Sequence, residues 1–154
     1  MKARRQYRNE LIAILALAGG AFFGLCLVSY DPADPAFNVA AHVKHVNNLG
    51  GVVGAYTADL LFMVFGISAY VLVGLLFLIS ILRFLGRQIA VEWRQSVGYG
   101  IALAAAASVM HLQFGMIHIG GQPIEAGGLL GGIVGGILAY YLNQPGAYLI
   151  TVML

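Results

Sequence analysis

The chain has 154 residues, 60% of them apolar and only 9% charged, with a formal net charge of +2. Soluble domains carry about 25% charged residues, and a soluble domain of this size has too little interior to bury so much apolar surface. The composition therefore excludes a soluble enzyme or a free nucleic-acid binder, and the near-neutral balance provides no broad basic face for DNA.

A membrane-crossing helix needs about 20 apolar residues. Residues 1–10 form a basic tail carrying Lys2, Arg4, Arg5 and Arg8. Residues 11–30 carry no charge and read as the first span. This run exceeds the roughly 7–15 residues of a signal-peptide core. Its end holds Leu27, Val28 and Tyr30, where small residues would permit cleavage, so it reads as a retained span. Cys26, the single cysteine, lies inside it as a small buried or lipid-facing hydrophobe, and no intramolecular disulfide can form.

Asp31-Pro32-Ala33-Asp34-Pro35 closes this span. Each proline fixes its own φ and moves the preceding aspartate away from helical geometry, which predicts a stiff, extended exit. Asn47-Asn48-Leu49-Gly50-Gly51 is a turn cluster. Gly50, Gly54 and Ala58 are small positions at helical spacing. Asp59 stands one turn before the next apolar run, where a carboxylate suits a helix N-terminus; contact with a partner outside the cell membrane is the competing role.

Residues 60–82 are uncharged and read as the second span. Residues 97–112 make a third, with Tyr99 and His111 at the interfaces. Residues 126–142 form a fourth apolar stretch. There Gly127, Gly131 and Gly135 repeat every four residues, as do Gly128, Gly132 and Gly136. They form a face almost without side chains, where another backbone can approach closely. Packing within the chain is the plainer use of this face, and a seam between subunits the sharper one. Each glycine also weakens a helix by roughly 1 kcal/mol relative to alanine, and Pro145-Gly146 breaks it. The fold class is thus an all-α membrane protein of about four transmembrane helices, with the last segment glycine-rich and open to a broken or re-entrant path. Residues 147–154 are apolar to the end and read as the opening of a further membrane segment in a longer protein.

Lysine and arginine mark the cytoplasmic side. Lys2, Arg4, Arg5, Arg8, Arg83, Arg87 and Arg94 share one side if the N-terminus is cytoplasmic, leaving Lys44 alone on the other. The outer loops are then 31–59 and 113–125. No charge lies deep in a span, which argues against an ion-coupled transporter. The last lysine is Lys44, so no Gly-Lys-Ser/Thr phosphate loop exists, and no Gly-x-Ser-x-Gly elbow is present. His42, His45, His111 and His118 read as solvated or interfacial side chains rather than metal ligands. No catalytic, cofactor-binding or metal-binding residue is assigned.

The outer-loop residues carry a resemblance. Ser29-Tyr30-Asp31-Pro32-Ala33-Asp34-Pro35-Ala36-Phe37 resembles the segment after the first span of the FtsK/SpoIIIE DNA translocases. The stretch 48–60, with Asn48, Gly50, Gly51, Gly54 and Asp59, is similar to their entry into the second span, and Phe65-Gly66-Ile67-Ser68-Ala69-Tyr70 continues it. The glycine-rich segment from Gly127-Gly128 is similar to their last membrane region.

The resemblance implies the N-terminal membrane domain of a multi-pass inner-membrane motor located at the division septum. It implies a linker, a hexameric RecA-like ATPase that moves double-stranded DNA, and a winged-helix module, all beyond this chain. ATP and magnesium would act only in that motor, and DNA would be met only there. The membrane domain would anchor the motor, gather its subunits and contact other cell-division proteins. Ala36 replaces a frequent serine. Val73 replaces a frequent proline and removes that cause of a kink in the second span. A cytoplasmic motor requires an even number of crossings, which leaves two paths. Either 126–142 is the fourth crossing, or it lies in the interface or re-enters and Ala147 begins the fourth; the glycines and the Pro145-Gly146 break favour the second. The alternative function is a subunit of a membrane pore or transporter.

Overall fold

The computed structural model describes residues 2–37, 45–86 and 93–153. Its elements in chain order are α1 (Lys2–Val28), α2 (Gly51–Phe65), a 3₁₀ turn (Gly66–Ser68), α3 (Ala69–Phe84), α4 (Trp93–Phe114), β1 (Met116–Ile119), β2 (Gln122–Glu125) and α5 (Gly128–Met153). Among the described residues three stretches are long and apolar enough to cross a membrane: Asn9–Val28, Gly51–Phe84 and Gln95–Phe114. Helix is the form such runs must take in lipid, where every backbone polar group needs an internal partner.

The basic tail is helical and continuous with the first span. Helix α2 starts at Gly51, so the last nine residues of the expected 31–59 loop are already helix. Part of that expected loop, 38–44 with His42 and Lys44, and also Arg87, lie outside the described residues. The segment between α4 and α5 is a two-stranded antiparallel hairpin, which the all-helical expectation did not contain. Ile117 pairs with Ile124 in it, and Met116 with Glu125. Its turn is Gly120-Gly121, with φ of 58° and 82°. Two consecutive positive φ values are what a tight hairpin turn demands.

Helices α1 and α3 pack antiparallel. The Ser80 hydroxyl donates to the Ala13 carbonyl at 3.0 Å, the Arg83 guanidinium to the Asn9 side chain at 3.0 Å, and the Tyr70 hydroxyl to the Leu27 carbonyl at 3.1 Å. Between these ties, Gly20 lies under Leu76 and Phe77, and Gly24 under Val73. Small residues here allow the close approach on which helix association in lipid depends. The same pairing places the start of α1 and the end of α3 together, so the basic tail and Arg83 mark one end of the bundle. The exit of α1, the start of α2 and the hairpin gather at the other.

The second span is broken, but not at Val73, which sits buried within α3. The break is at Gly66, with φ 57° and ψ −142°, and the freed Ile67 N–H donates to the Ala126 carbonyl at 2.8 Å. A side chain at Gly66 would collide with that carbonyl, and one at Gly128 with Val64 and Gly66. Both glycines have positive φ. The start of α5 is thus wedged into the break of the second span.

Helix α5 is itself broken at Asn143, where φ is 55° and ψ 173°. The first part, to Leu142, is 15 residues, or about 22 Å at 1.5 Å per residue. That is short of the ~30 Å hydrocarbon core. The last membrane segment is therefore two short helices rather than one straight span.

Candidate functional site

The two outer-loop motifs fold onto each other at the hairpin end of the bundle. Asp34 and Asn48 are each only 3% exposed. Both Asp34 carboxylate oxygens accept backbone N–H groups at 2.8 Å, Oδ1 from Asn47 and Oδ2 from Asn48. The Asn48 side-chain amide donates to the carbonyls of Cys26 (2.8 Å) and Ser29 (3.3 Å), and its Oδ1 accepts the Gly50 N–H at 2.9 Å. Asn48 thereby satisfies one of the last carbonyls of α1, that of Cys26, which a helix end leaves without an internal partner.

Asp31 completes the arrangement. Its Oδ1 accepts the Ala33 N–H at 2.9 Å and its Oδ2 the Asn47 side-chain amide at 2.8 Å. These bonds, that from Ala33 first, hold its carboxyl below the usual carboxylate range. The Ser29 hydroxyl accepts the Leu49 N–H at 3.0 Å.

The glycines of the second motif make room for this polar knot. A side-chain carbon at Gly50 would meet the Cys26 sulfur at 2.9 Å, and one at Gly54 would collide with the Asn48 amide. Cys26 is fully buried under α2. Gly51 has open space around it. Pro32 stands against Gly120 in the hairpin turn, and Pro35 is half-buried. Asp59 is not in the knot. It lies two turns along α2, where its Oδ2 accepts the Phe37 N–H at 3.2 Å, and the Phe37 and Tyr56 rings meet edge-on at 5.1 Å.

The glycine-rich face of α5 is divided among neighbours. Gly127 and Gly131 press on Ala107 and His111 of α4, and Gly135 on Ser108 and Leu112. Gly128 faces the second span, and Gly132 lies beside the Glu125 carboxylate and the His111 ring. Gly136 faces open space. Gly131 and Gly135, one turn apart on α5, thus meet neighbouring residues of α4, Ala107 and Ser108. Past the break, the Tyr148 hydroxyl donates to Gln113 at 3.1 Å, and Ala147 and Thr151 are buried. The second part of α5 thus returns to the hairpin end of α4.

Sequence reasoning placed Ser29 and Gly66 in the family motifs without a role for either, and gave none to Ala126 or the Tyr148–Gln113 pair. A lone glycine in an apolar run does not by itself announce a break, and Ala126 and Gln113 offered no signal. Chemically, the site is a set of carboxylates and amides consumed by backbone groups. No group of three or more His, Cys, Asp or Glu able to hold a metal occurs among the described residues.

These features define a polytopic helical membrane domain whose buried polar groups serve structure. Residues 5–154 match the model of the 4TM region of DNA translocase FtsK/SpoIIIE, and the chain belongs to that family. The family region has four transmembrane helices, so the chain is a multi-pass inner-membrane protein. It is 32% identical to DNA translocase FtsK of Pseudomonas putida, over 97% of this chain and 18% of that protein. It is 31% identical to DNA translocase FtsK 2 of Ralstonia nicotianae (95% of this chain, 20% of that one) and 30% identical to DNA translocase FtsK of Vibrio vulnificus (94% and 15%). The chain thus spans a fifth or less of the length of these relatives, and matches their membrane region rather than a motor. No solved structure matches it.

Proposed function

We propose that this chain is the membrane anchor and oligomerisation module of a septal, ATP-driven DNA translocase that couples chromosome segregation to cell division. The match of nearly the whole chain to the family's 4TM region carries this reading. ATP, magnesium and double-stranded DNA belong to parts of such a protein outside this chain. The anchor's action is mechanical. It holds tethered motors at the division site, contacts other division proteins and raises the motors' local concentration, which favours a ring, a hexamer by family resemblance.

The basic end faces the cytoplasm by the lysine and arginine rule, and the knot and hairpin face outward. The break at Asn143 and the Tyr148–Gln113 bond support a path in which the fourth crossing begins near Ala147. The seam between copies is the face of α5 left open, with Gly136 beside the exposed Leu129, Ile133, Ile137 and Tyr140.

The test is to express the chain fused to a fluorescent protein in dividing cells. A band at midcell is the expected result, with energy transfer between two colours of fusion. An even distribution around the envelope would overturn septal targeting, and absent transfer would overturn self-association.

A further inference from the structure

An open cavity of about 350 Å³ lies between α2, the chain leaving α1, β2 and the start of α5. Two carboxylates, Asp59 and Glu125, line it, together with the rings of Tyr30 and Phe62 and the side chains of Met63 and Leu129. The two rings stand 4.8 Å apart and form an aromatic wall. No basic side chain occurs among the described lining residues. Asp59 accepts the Phe37 N–H at one carboxylate oxygen, and that donor carries no charge.

The depth of the cavity narrows its ligand. Asp59 immediately precedes the uncharged run 60–82. On the same wall Met63 and Leu129 are apolar and 42% and 56% exposed, as lipid-facing side chains would be. With the hydrocarbon core beginning at the uncharged run 60–82, the cavity straddles the boundary between headgroups and hydrocarbon, with carboxylates on the polar side and apolar walls below. At that depth a bilayer presents its phosphates, which repel carboxylates. The abundant cation there is the ammonium of an aminophospholipid.

We propose that this cavity binds the primary ammonium headgroup of a phospholipid such as phosphatidylethanolamine. Asp59 and Glu125 accept its N–H groups, the aromatic wall flanks the charge, and the glycerol end runs over Met63 and Leu129. Ligand cavities run from about 300 to 1,000 Å³, so this one suits a headgroup rather than a large molecule. A primary ammonium has three donors for the two carboxylates, whereas a quaternary headgroup has none. Placing the site in the outer leaflet rests on the orientation proposed above; the binding itself does not.

The test is native mass spectrometry of the whole chain in detergent with equal amounts of phosphatidylethanolamine, phosphatidylglycerol and phosphatidylcholine. Phosphatidylethanolamine is retained preferentially. Glu125→Gln, at an exposed position, leaves the fold intact and cuts that preference several-fold. Combined with Asp59→Asn, which keeps an acceptor for Phe37, it lowers the preference by about tenfold or more, the effect of losing a charge-assisted hydrogen bond. Equal retention of the three lipids, phosphatidylcholine bound as well as phosphatidylethanolamine, or a preference that survives both substitutions would each overturn the proposal.

Discussion

The side-chain amide of Asn48 donates to the carbonyl of Cys26, 2.8 Å away and 22 residues earlier, and so ties the start of the second span to the end of the first. Both residues are buried. Asn48→Ala leaves these carbonyls and the Gly50 N–H short of a partner, and an unsatisfied buried group costs about 1–3 kcal/mol. Unfolding of the purified chain in detergent should move by that amount. Asn48→Asp should cost more, because a carboxylate would face the carbonyls it replaces a donor for. Stability equal to wild type in both variants would show the knot to be dispensable.

Gly66→Ala and Gly128→Ala should each cost at least ~2 kcal/mol, since both positions have positive φ and no room for a side chain. Gly136→Ala, in a helix with open space beside it, should be neutral or gain up to about 1 kcal/mol. Thermal unfolding of the three variants side by side measures this contrast. Equal effects would contradict the wedge of α5 in the second span.

The two glycine rows should also separate folding from assembly. Gly131→Leu collides with Ala107 and should unfold the α4–α5 pair. Gly136→Leu should leave the monomer folded and weaken self-association in membranes severalfold. Energy transfer between labelled copies reads the second effect and circular dichroism the first. Unchanged transfer for Gly136→Leu would remove this face as the seam.

Asp31 should titrate below about 3.9, the ordinary aspartate value. Its folded pKa is depressed, so its contribution to the loop is present above the unfolded pKa and is lost as pH falls through the folded one. A carbon-detected titration of the Asp31 carboxyl, with exchange of the Ala33 amide followed in parallel, tests this. A midpoint at or above 3.9 would contradict the two hydrogen bonds.

The legible parts of the fold are those that local chemistry decides. The uncharged runs fall on the three stretches long and apolar enough to cross a membrane, which are helical because nothing else satisfies the backbone in lipid. Pro32 stops α1 at Val28, since its ring would clash with the carbonyl four residues back, but the exit is a turn, with the Asp34 N–H on the Asp31 carbonyl at 3.0 Å, rather than the extended segment expected. The hairpin was in principle visible, since Gly120-Gly121 sits between Ile117, Ile119 and Ile124 in alternation, a pattern that competes poorly with the stronger apolar runs around it. The break at Gly66 was not visible in this way. Its cause is the Ala126 carbonyl, sixty residues away, and a bare Phe-Gly-Ile reads as continuous helix. The four-residue repeat of Gly127, Gly131 and Gly135 announced close packing but not a partner. That the partner is Ala107 and His111 is a contact between two helices, which no local signal encodes. At the knot, the residue types Asp34 and Asn48 were apparent, whereas their pairing depends on the chain folding back over thirteen residues.

The proposed anchor has its basic end in the cytoplasm, its knot and hairpin outside, and a fourth crossing that starts near Ala147. Single cysteines at Tyr7→Cys, His118→Cys and Gln144→Cys, placed in a Cys26→Ala chain and probed on intact spheroplasts with a membrane-impermeant thiol reagent, test it directly. Labelling at 118 and 144, with protection at 7 until the membrane is opened, is the expected result. Labelling at 7 with protection at 118 would contradict the orientation. Protection at 144 with labelling at 118 would place the fourth crossing in Gly128–Leu142 and contradict the broken path.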